Sequence, residues 1–155
     1  MKRFYGYSIL LFFSMIVLLT ACKTPPGIDG QGGDIIQPGA YNVKFIALDR
    51  SITDPAMDRR TYYKVFIDKV ESGRTTTGLE SQEKSFETTL SSNRHLLMVE
   101  KWILDEKKGQ YIKLNNIEQP KPNYIYFSAS ANRIITIVME TDSEGKARFI
   151  VDFGN

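Results

Sequence analysis

The fold class is decided by residues 134–153, which read IITIVMETDSEGKARFIVDF. The first seven are rich in Ile and Val, and apolar side chains then recur at every second position from Ala147 to Phe153. A period of two is typical of a strand with one buried face. The polar residues 141–145 between the two halves suit a hairpin loop, because Gly145 adopts positive φ without strain. The stretch therefore predicts two strands joined by a tight turn.

The same alternation recurs along the chain from residue 41. Six further segments show the strand period, and Lys107-Lys108-Gly109 and Ala131-Asn132 are turn signals between some of them. These segments are residues 41–45, 63–67, 86–90, 95–104, 111–114 and 124–129. A turn or two of helix is predicted around residues 54–60, where Pro55 suits the first turn. Seven or eight short strands predict an all-β domain, as a single antiparallel β-sandwich (Ig-like or transthyretin-like) or a partly closed barrel.

Composition excludes several classes of protein. The 155 residues suit one domain, and 42% apolar with 25% charged residues is typical of a globular chain. The net charge of +2 comes from Lys2 and Arg3, so the chain after the first 21 residues is neutral and we expect no nucleic-acid partner. One Cys and one His exclude a disulfide framework and Cys-rich or His-rich metal sites, so we expect no metal.

Residues 1–21 have the parts of a secretory signal. Lys2 and Arg3 give a positive start, and an apolar stretch over residues 9–19 is interrupted only by Ser14. Eleven helical residues span about 16 Å, well short of the ~30 Å hydrocarbon core of a bilayer. The length therefore indicates a cleaved signal peptide rather than a membrane span.

The signal ends in Leu19-Thr20-Ala21-Cys22. A large apolar residue, two small residues and a Cys resemble the lipobox of bacterial lipoproteins. The resemblance implies that lipoprotein signal peptidase recognises Leu19, Thr20 and Ala21 and cuts before Cys22. It also implies that Cys22 then carries covalent diacylglycerol and an N-acyl lipid. The alternatives are an ordinary secretory signal with a chance Cys, and a buried free Cys.

Two or more acyl chains would hold the protein firmly on a membrane, because each buried CH₂ contributes about 0.8 kcal/mol. Lys23, where enteric lipoproteins kept in the inner membrane have Asp, favours the outer membrane of a bacterium with two membranes. We expect no other cofactor. Residues 22–40 hold five of the 11 glycines and three of the six prolines, which predicts a flexible tether before a domain at residues 41–155.

Part of the domain resembles PEGA-type envelope domains. The likeness rests on Val65-Phe66-Ile67-Asp68, on Gly73-Arg74-Thr75-Thr76 and on the turn before His95. The chain departs from the family pattern at Lys69, Thr76 and Asn93. The resemblance implies a small β-domain on a bacterial envelope protein and carries over no catalytic residues.

The candidate site residues are few. His95 is the only imidazole, but no Gly-x-Ser-x-Gly elbow surrounds any serine, so we expect a structural His at a turn-to-strand junction. The tyrosine pairs Tyr62-Tyr63 and Tyr124/Tyr126 are the predicted binding surface, since exposed rings stack on sugars or fill a partner's pocket. The alternative is that these rings belong to the core or lie singly on the surface.

The sequence predicts a lipid-anchored envelope protein whose domain is not an enzyme and acts as a protein-interaction or assembly module. Its partners would be the membrane, through the lipid on Cys22, and an envelope protein. A second hypothesis is a glycan- or peptidoglycan-binding lipoprotein. An enzyme dependent on His95 is the third.

Overall fold

The structure is a computed structural model that describes residues 41–154. The predicted signal peptide, the lipobox with Cys22, and the tether lie outside the described residues. Ten strands and one turn of 3-10 helix, Pro55–Met57, make up the described part. The strands are β1 Val43–Asp49, β2 Arg60–Ile67, β3 Val70–Arg74, β4 Gly78–Leu79, β5 Lys84–Thr88, β6 Arg94–Asp105, β7 Gln110–Lys113, β8 Tyr124–Ser128, β9 Ile135–Thr141 and β10 Ala147–Phe153.

The strands form two sheets. The four-stranded sheet has the order β10-β9-β1-β5, and the six-stranded sheet has the order β3-β2-β6-β7, with β4 also on β2 and β8 also on β6. The prediction of an all-β fold is confirmed. The prediction of a purely antiparallel arrangement is wrong, because β1 and β9 pair in parallel from Val43↔Ile135 to Asp49↔Thr141. The predicted seven or eight strands are also too few.

The two missed strands, β3 and β4, lack the alternation that identified the others. Val70–Arg74 holds one β-branched residue among polar ones and a glycine, and β4 has only two residues. Both form because β2 offers them its free edge. Gly73, at φ +149°, lies so close to Phe86 that an added Cβ would be 2.8 Å from its ring.

The predicted turns are present where the sequence places them. Asp54 caps the 3-10 turn by accepting from Ala56 N, and Pro55 follows at its start. Gly145 has φ +76° in the β9–β10 hairpin. The Asp142 carboxylate accepts from Glu144 N and Lys146 N, and these two hydrogen bonds stabilise the loop.

One hydrophobic core joins the two sheets. Alternate residues of the long strands are buried, and those from both sheets contact each other in one cluster. The cluster contains Val43, Phe45, Ala47, Tyr63, Val65, Ile67, Leu97, Val99, Phe127, Ala129, Ile135, Ile137, Met139 and Ala147. Tyr63 is only 1% exposed, which corrects its assignment to a binding surface.

Candidate functional site

The outer surface of the six-stranded sheet carries a row of aromatic rings and several cations. Residues of β2, β6 and β8 that face away from the core alternate with those in it, so neighbouring strands bring their outward side chains together. We call this surface the aromatic–cationic face. Its members are Tyr62, Lys64, Arg74, Arg94, Trp102, Tyr111, Tyr124 and Tyr126.

One half of the aromatic–cationic face is closely packed. The rings of Tyr62 and Trp102 stack at 6.2 Å between centroids and 8° between planes, and Tyr111 lies 4.9 Å from Tyr62. Lys64 Nζ lies 4.7 Å above the Trp102 ring, and the Arg74 guanidinium lies 5.2 Å from the Tyr62 ring. These neighbours leave Tyr62 only 6% exposed, so its ring packs against the surface residues and is not available to a partner.

The other half is open to solvent, and we call Arg94, Tyr124 and Tyr126 the Tyr126 patch. Tyr124 is 49% and Tyr126 55% exposed. Their rings meet edge to face at 6.2 Å, and the Arg94 guanidinium lies 4.7 Å from the Tyr126 centroid. Two exposed rings with an Arg beside them match the residue types that dominate protein interfaces.

A groove of about 390 Å³ adjoins the Tyr126 patch. Asp68, Arg94, His95, Leu96 and Tyr126 line it. Asp68 belongs to the β2–β3 turn, whereas the others come from the start of β6 and from β8. The groove therefore places a carboxylate, a guanidinium and an exposed ring around one space.

His95 is held by two oxygen acceptors. Its Nδ1 lies 2.7 Å from Asp68 Oδ2, and its Nε2 lies 3.0 Å from the Ser91 carbonyl oxygen. Neither acceptor has a proton to give, so both bonds form fully only when the imidazole is doubly protonated. The bond to Asp68 is the largest cause that raises the pKa of His95, against the opposing effect of burial.

The same contacts lower the pKa of Asp68. Its carboxylate accepts from Leu96 N at 2.9 Å, the largest cause, and from His95. A nucleophilic triad would need a serine hydroxyl on Nε2, but that nitrogen faces the backbone of Ser91 instead. Among residues 41–154 no group of three or more His, Cys, Asp or Glu is arranged to hold a metal ion.

A second polar site, between the sheets, was not found from the sequence. Lys101 Nζ lies 2.6 Å from Asp49 Oδ2 and 3.7 Å from Glu80 Oε2, and all three side chains are at least 92% buried. Burial alone would raise the pKa of Asp49. The Lys101 ammonium, with hydrogen bonds from Lys101 and Ser51, outweighs it and lowers that pKa. We call Asp49, Glu80, Lys84 and Lys101 the buried ionic cluster.

Lys84 completes the cluster and is fully buried. Its ammonium donates to the carbonyl oxygens of Leu79, Glu80 and Gln82 at 2.6, 3.0 and 2.7 Å. These three bonds engage all three N–H groups of the ammonium, so Lys84 stabilises the β4–β5 loop. Burial, followed by the positive charge of Lys101, lowers the pKa of Lys84 to about 8.

Some groups in or beside the cluster have no hydrogen-bond partner among the described residues. The Tyr63 hydroxyl, Glu80 Oε2 and Thr141 Oγ1 are buried and accept or donate no hydrogen bond within residues 41–154. Burial, then the carboxylates of Asp49 and Glu80, raise the pKa of Tyr63. A pattern signal for the cluster does exist, because Asp49, Lys84 and Lys101 occupy inward positions of their strands.

No protein-family model, curated protein or solved structure matches the chain. Among residues 41–154 there is no helix long and apolar enough to cross a membrane.

Proposed function

We propose that the chain is a lipid-anchored protein of the bacterial cell envelope whose β-domain is a non-catalytic protein-interaction module. Leu19-Thr20-Ala21-Cys22 after a short apolar stretch supports the anchor. In this proposal Cys22 carries the lipid, residues 23–40 give reach, and the domain meets its partner on the outer membrane.

The finer fold is also a proposal: the two sheets pack face to face as a transthyretin-like β-sandwich. The common hydrophobic cluster supports two packed layers. In an Ig constant-type domain the first two strands are neighbours in one sheet. Here β1 and β2 belong to different sheets, and β1 pairs in parallel with β9. Both features speak against the Ig constant type, which leaves the transthyretin-like type.

The Tyr126 patch carries the interaction proposal. An exposed apolar ring loses contact with water when a partner covers it, and Tyr orders only two torsions when it does so. Arg94 beside it supplies direction through its planar guanidinium. The closely packed Trp102 half gives the patch a rigid support, which lowers the entropy lost on binding.

In-cell cross-linking of the intact protein tests the interaction. Tyr124→Ala with Tyr126→Ala should remove a reproducible protein adduct that the natural sequence forms. Ile117→Ala is the matched control, since Ile117 is apolar, 82% exposed and outside the patch. An adduct that survives the double Tyr variant, or that Ile117→Ala removes equally, would contradict the assignment to this patch.

Labelled fatty acid tests the anchor separately. The natural chain should incorporate it, and Cys22→Ala should not, because the thioether has no other thiol to form on. Label that enters Cys22→Ala at the same level would show that the lipid is attached elsewhere or that the chain is not a lipoprotein.

Glycan or peptidoglycan binding is the second candidate function, and the groove beside the Tyr126 patch favours it. Asp68 and Arg94 offer an acceptor and donors for hydroxyl groups, next to a ring on which a sugar can stack. Co-sedimentation with purified peptidoglycan tests this candidate. Binding that Tyr126→Ala abolishes would support it, and a protein that stays in the supernatant would remove it.

A further inference from the structure

The edge of the four-stranded sheet at β10 is open for most of its length. Gly154 N donates to Ile134 O, and Asp142 N to Lys146 O, so even-numbered residues along β10 direct their backbone groups towards β9. Ala147 N points the opposite way and donates to Lys121 O at 2.8 Å. Odd-numbered residues of β10 therefore direct their N–H and C=O groups away from the sheet.

Lys121 covers only the first of these residues. Pro122 follows it and has no N–H to continue the pairing. Within residues 41–154, no group bonds to the outward backbone of Phe149, Val151 or Phe153. Such a row of unpaired groups is a template for another strand.

Several side chains along this edge are apolar and at least partly uncovered. Phe153 is 51% and Ile150 41% exposed, and Phe149 and Val151 are only partly buried against the core. Pro and Lys are two residues that commonly protect an edge from a second strand, and neither occurs within Ala147–Phe153.

We propose that β10 pairs antiparallel with β10 of a second copy of this chain, so that the two four-stranded sheets form one continuous sheet of eight strands. Antiparallel partners must match outward-facing residues with each other, which sets odd positions opposite odd positions. With Phe149 opposite Val151 of the second copy, Ile150 meets its own counterpart on the twofold axis.

Charge selects this register. Arg148 then lies opposite Asp152 of the second copy, and symmetry repeats the pair on the other side of the axis. A shift by two residues one way would set Asp152 against Ile150 and remove both pairs. A shift the other way would set Arg148 against Ile150 and Asp152 against Lys146 of the second copy, but Lys121 already occupies this edge beside Lys146. The same strand thus carries opposite charges at equal distances from its central residue, as a self-complementary surface requires.

Arg148 is positioned for this role. Its Nη2 lies 2.8 Å from Glu140 Oε2 on β9, and the Arg148 side chain is 72% exposed. The guanidinium has further donors free for a second carboxylate. No described residue forms an ion pair with Asp152, so within residues 41–154 its carboxylate has no competing cation.

A disulfide across the axis tests the proposal. Ile150 occupies a non-hydrogen-bonded pair, where opposed Cα atoms lie about 4.5 Å apart, within the range of a disulfide. Ile150→Cys in the full chain with Cys22→Ser should form covalent dimers under mild oxidation. Ile46→Cys is the matched control, because Ile46 lies on the same outward row two strands further from the edge.

Sedimentation of the full chain gives a second readout. Asp152→Lys should weaken dimerisation at least about tenfold, since two attractive pairs become repulsive. Glu106→Lys makes the same charge change in the exposed β6–β7 turn and should leave it unchanged. A monomer at every concentration, equal disulfide yields at positions 150 and 46, or an unaffected Asp152→Lys dimer would overturn the proposal. None of these outcomes bears on the lipid anchor.

Discussion

The two faces of β6 carry similar ion pairs in different surroundings. Glu100 faces outward and pairs with Lys113, whose side chain is 43% exposed. Its chain neighbour Lys101 faces inward and pairs with Asp49 at 2.6 Å, where the two side chains are 8% and 1% exposed. The outward pair is open to water, whereas the inward charges are shielded from it. Besides each other, within residues 41–154 they contact only Ser51, which donates to Asp49, and Glu80, which lies 3.7 Å from Lys101 Nζ. Burial, rather than the distance between the charged atoms, sets how much the fold depends on each pair.

Removing one inward charge should have the largest effect. Lys101→Met leaves Asp49 buried without its cation, whereas Glu80 keeps Arg59 at 2.9 Å. We expect a loss of about 3–5 kcal/mol in the free energy of unfolding. Lys113→Met, the outward control, should cost less than about 1 kcal/mol. Urea unfolding followed by circular dichroism measures both. Equal losses would show that the inward site is hydrated and that the contrast between the faces is wrong.

A double variant sharpens the contrast. Asp49→Leu with Lys101→Met removes both charges of the inward pair and should recover part of the loss, because an apolar pair needs no compensation. The double variant could instead lose more unfolding free energy than its two single variants lose in sum. That result would mean that the remaining charges, Glu80 above all, depend on Asp49 and Lys101 together.

The parity of the strands predicted much of the fold but little of the polar sites. Period two placed Val43, Val65 and Ile137 in the core, and it would also have placed Asp49 and Lys101 facing inward. It does not say that these two meet, because that contact depends on how the two sheets are aligned. Tyr63 shows the same limit, since adjacent tyrosines must face opposite ways and only packing decides whether each ring is covered; here both are.

His95 lies where the inward face of β6 reaches solvent and should show an intermediate effect. Its pKa is raised above 6.5, so its bond to Asp68 stabilises the fold fully below pH 6.5 and less as the pH rises through the folded pKa. The lowered pKa of Asp68 makes the same contribution fade below about pH 3.8. We expect a stability maximum from this pair between those values.

His95→Gln isolates that contribution. The variant should lose about 1 kcal/mol of unfolding free energy near pH 5.5 and less at pH 9. This is the contribution of a charge-assisted hydrogen bond, reduced because Asp68 is exposed. Unfolding curves at the two pH values measure the difference. A difference between variant and natural chain that does not change with pH would mean that the imidazole is neutral in the fold.

The smallest effect is expected at the β2–β3 turn on the surface. Asp68 and Lys69 form its two-residue loop with φ of 51° and 70°, a conformation that favours glycine at the second position. Lys69→Gly should therefore raise the free energy of unfolding by about 0.5 kcal/mol. Thermal unfolding would detect it, and a lower midpoint would show that the Lys side chain contributes more than the relief of the backbone.

The two edges of the four-stranded sheet differ in how many of their outward backbone groups are already hydrogen-bonded. At β5, the outward backbone of Ser85 is already engaged, since its carbonyl accepts from Thr76 N at 2.8 Å and its N–H donates to Thr76 Oγ1. At β10, three outward residues are unoccupied within the described chain. Among residues 41–154, the edge at β10 therefore has the longer row of free outward groups and is the better template for an added strand. In the proposed dimer each copy uses its β10 edge once, so the twofold pairing closes on itself and does not by itself build a fibre.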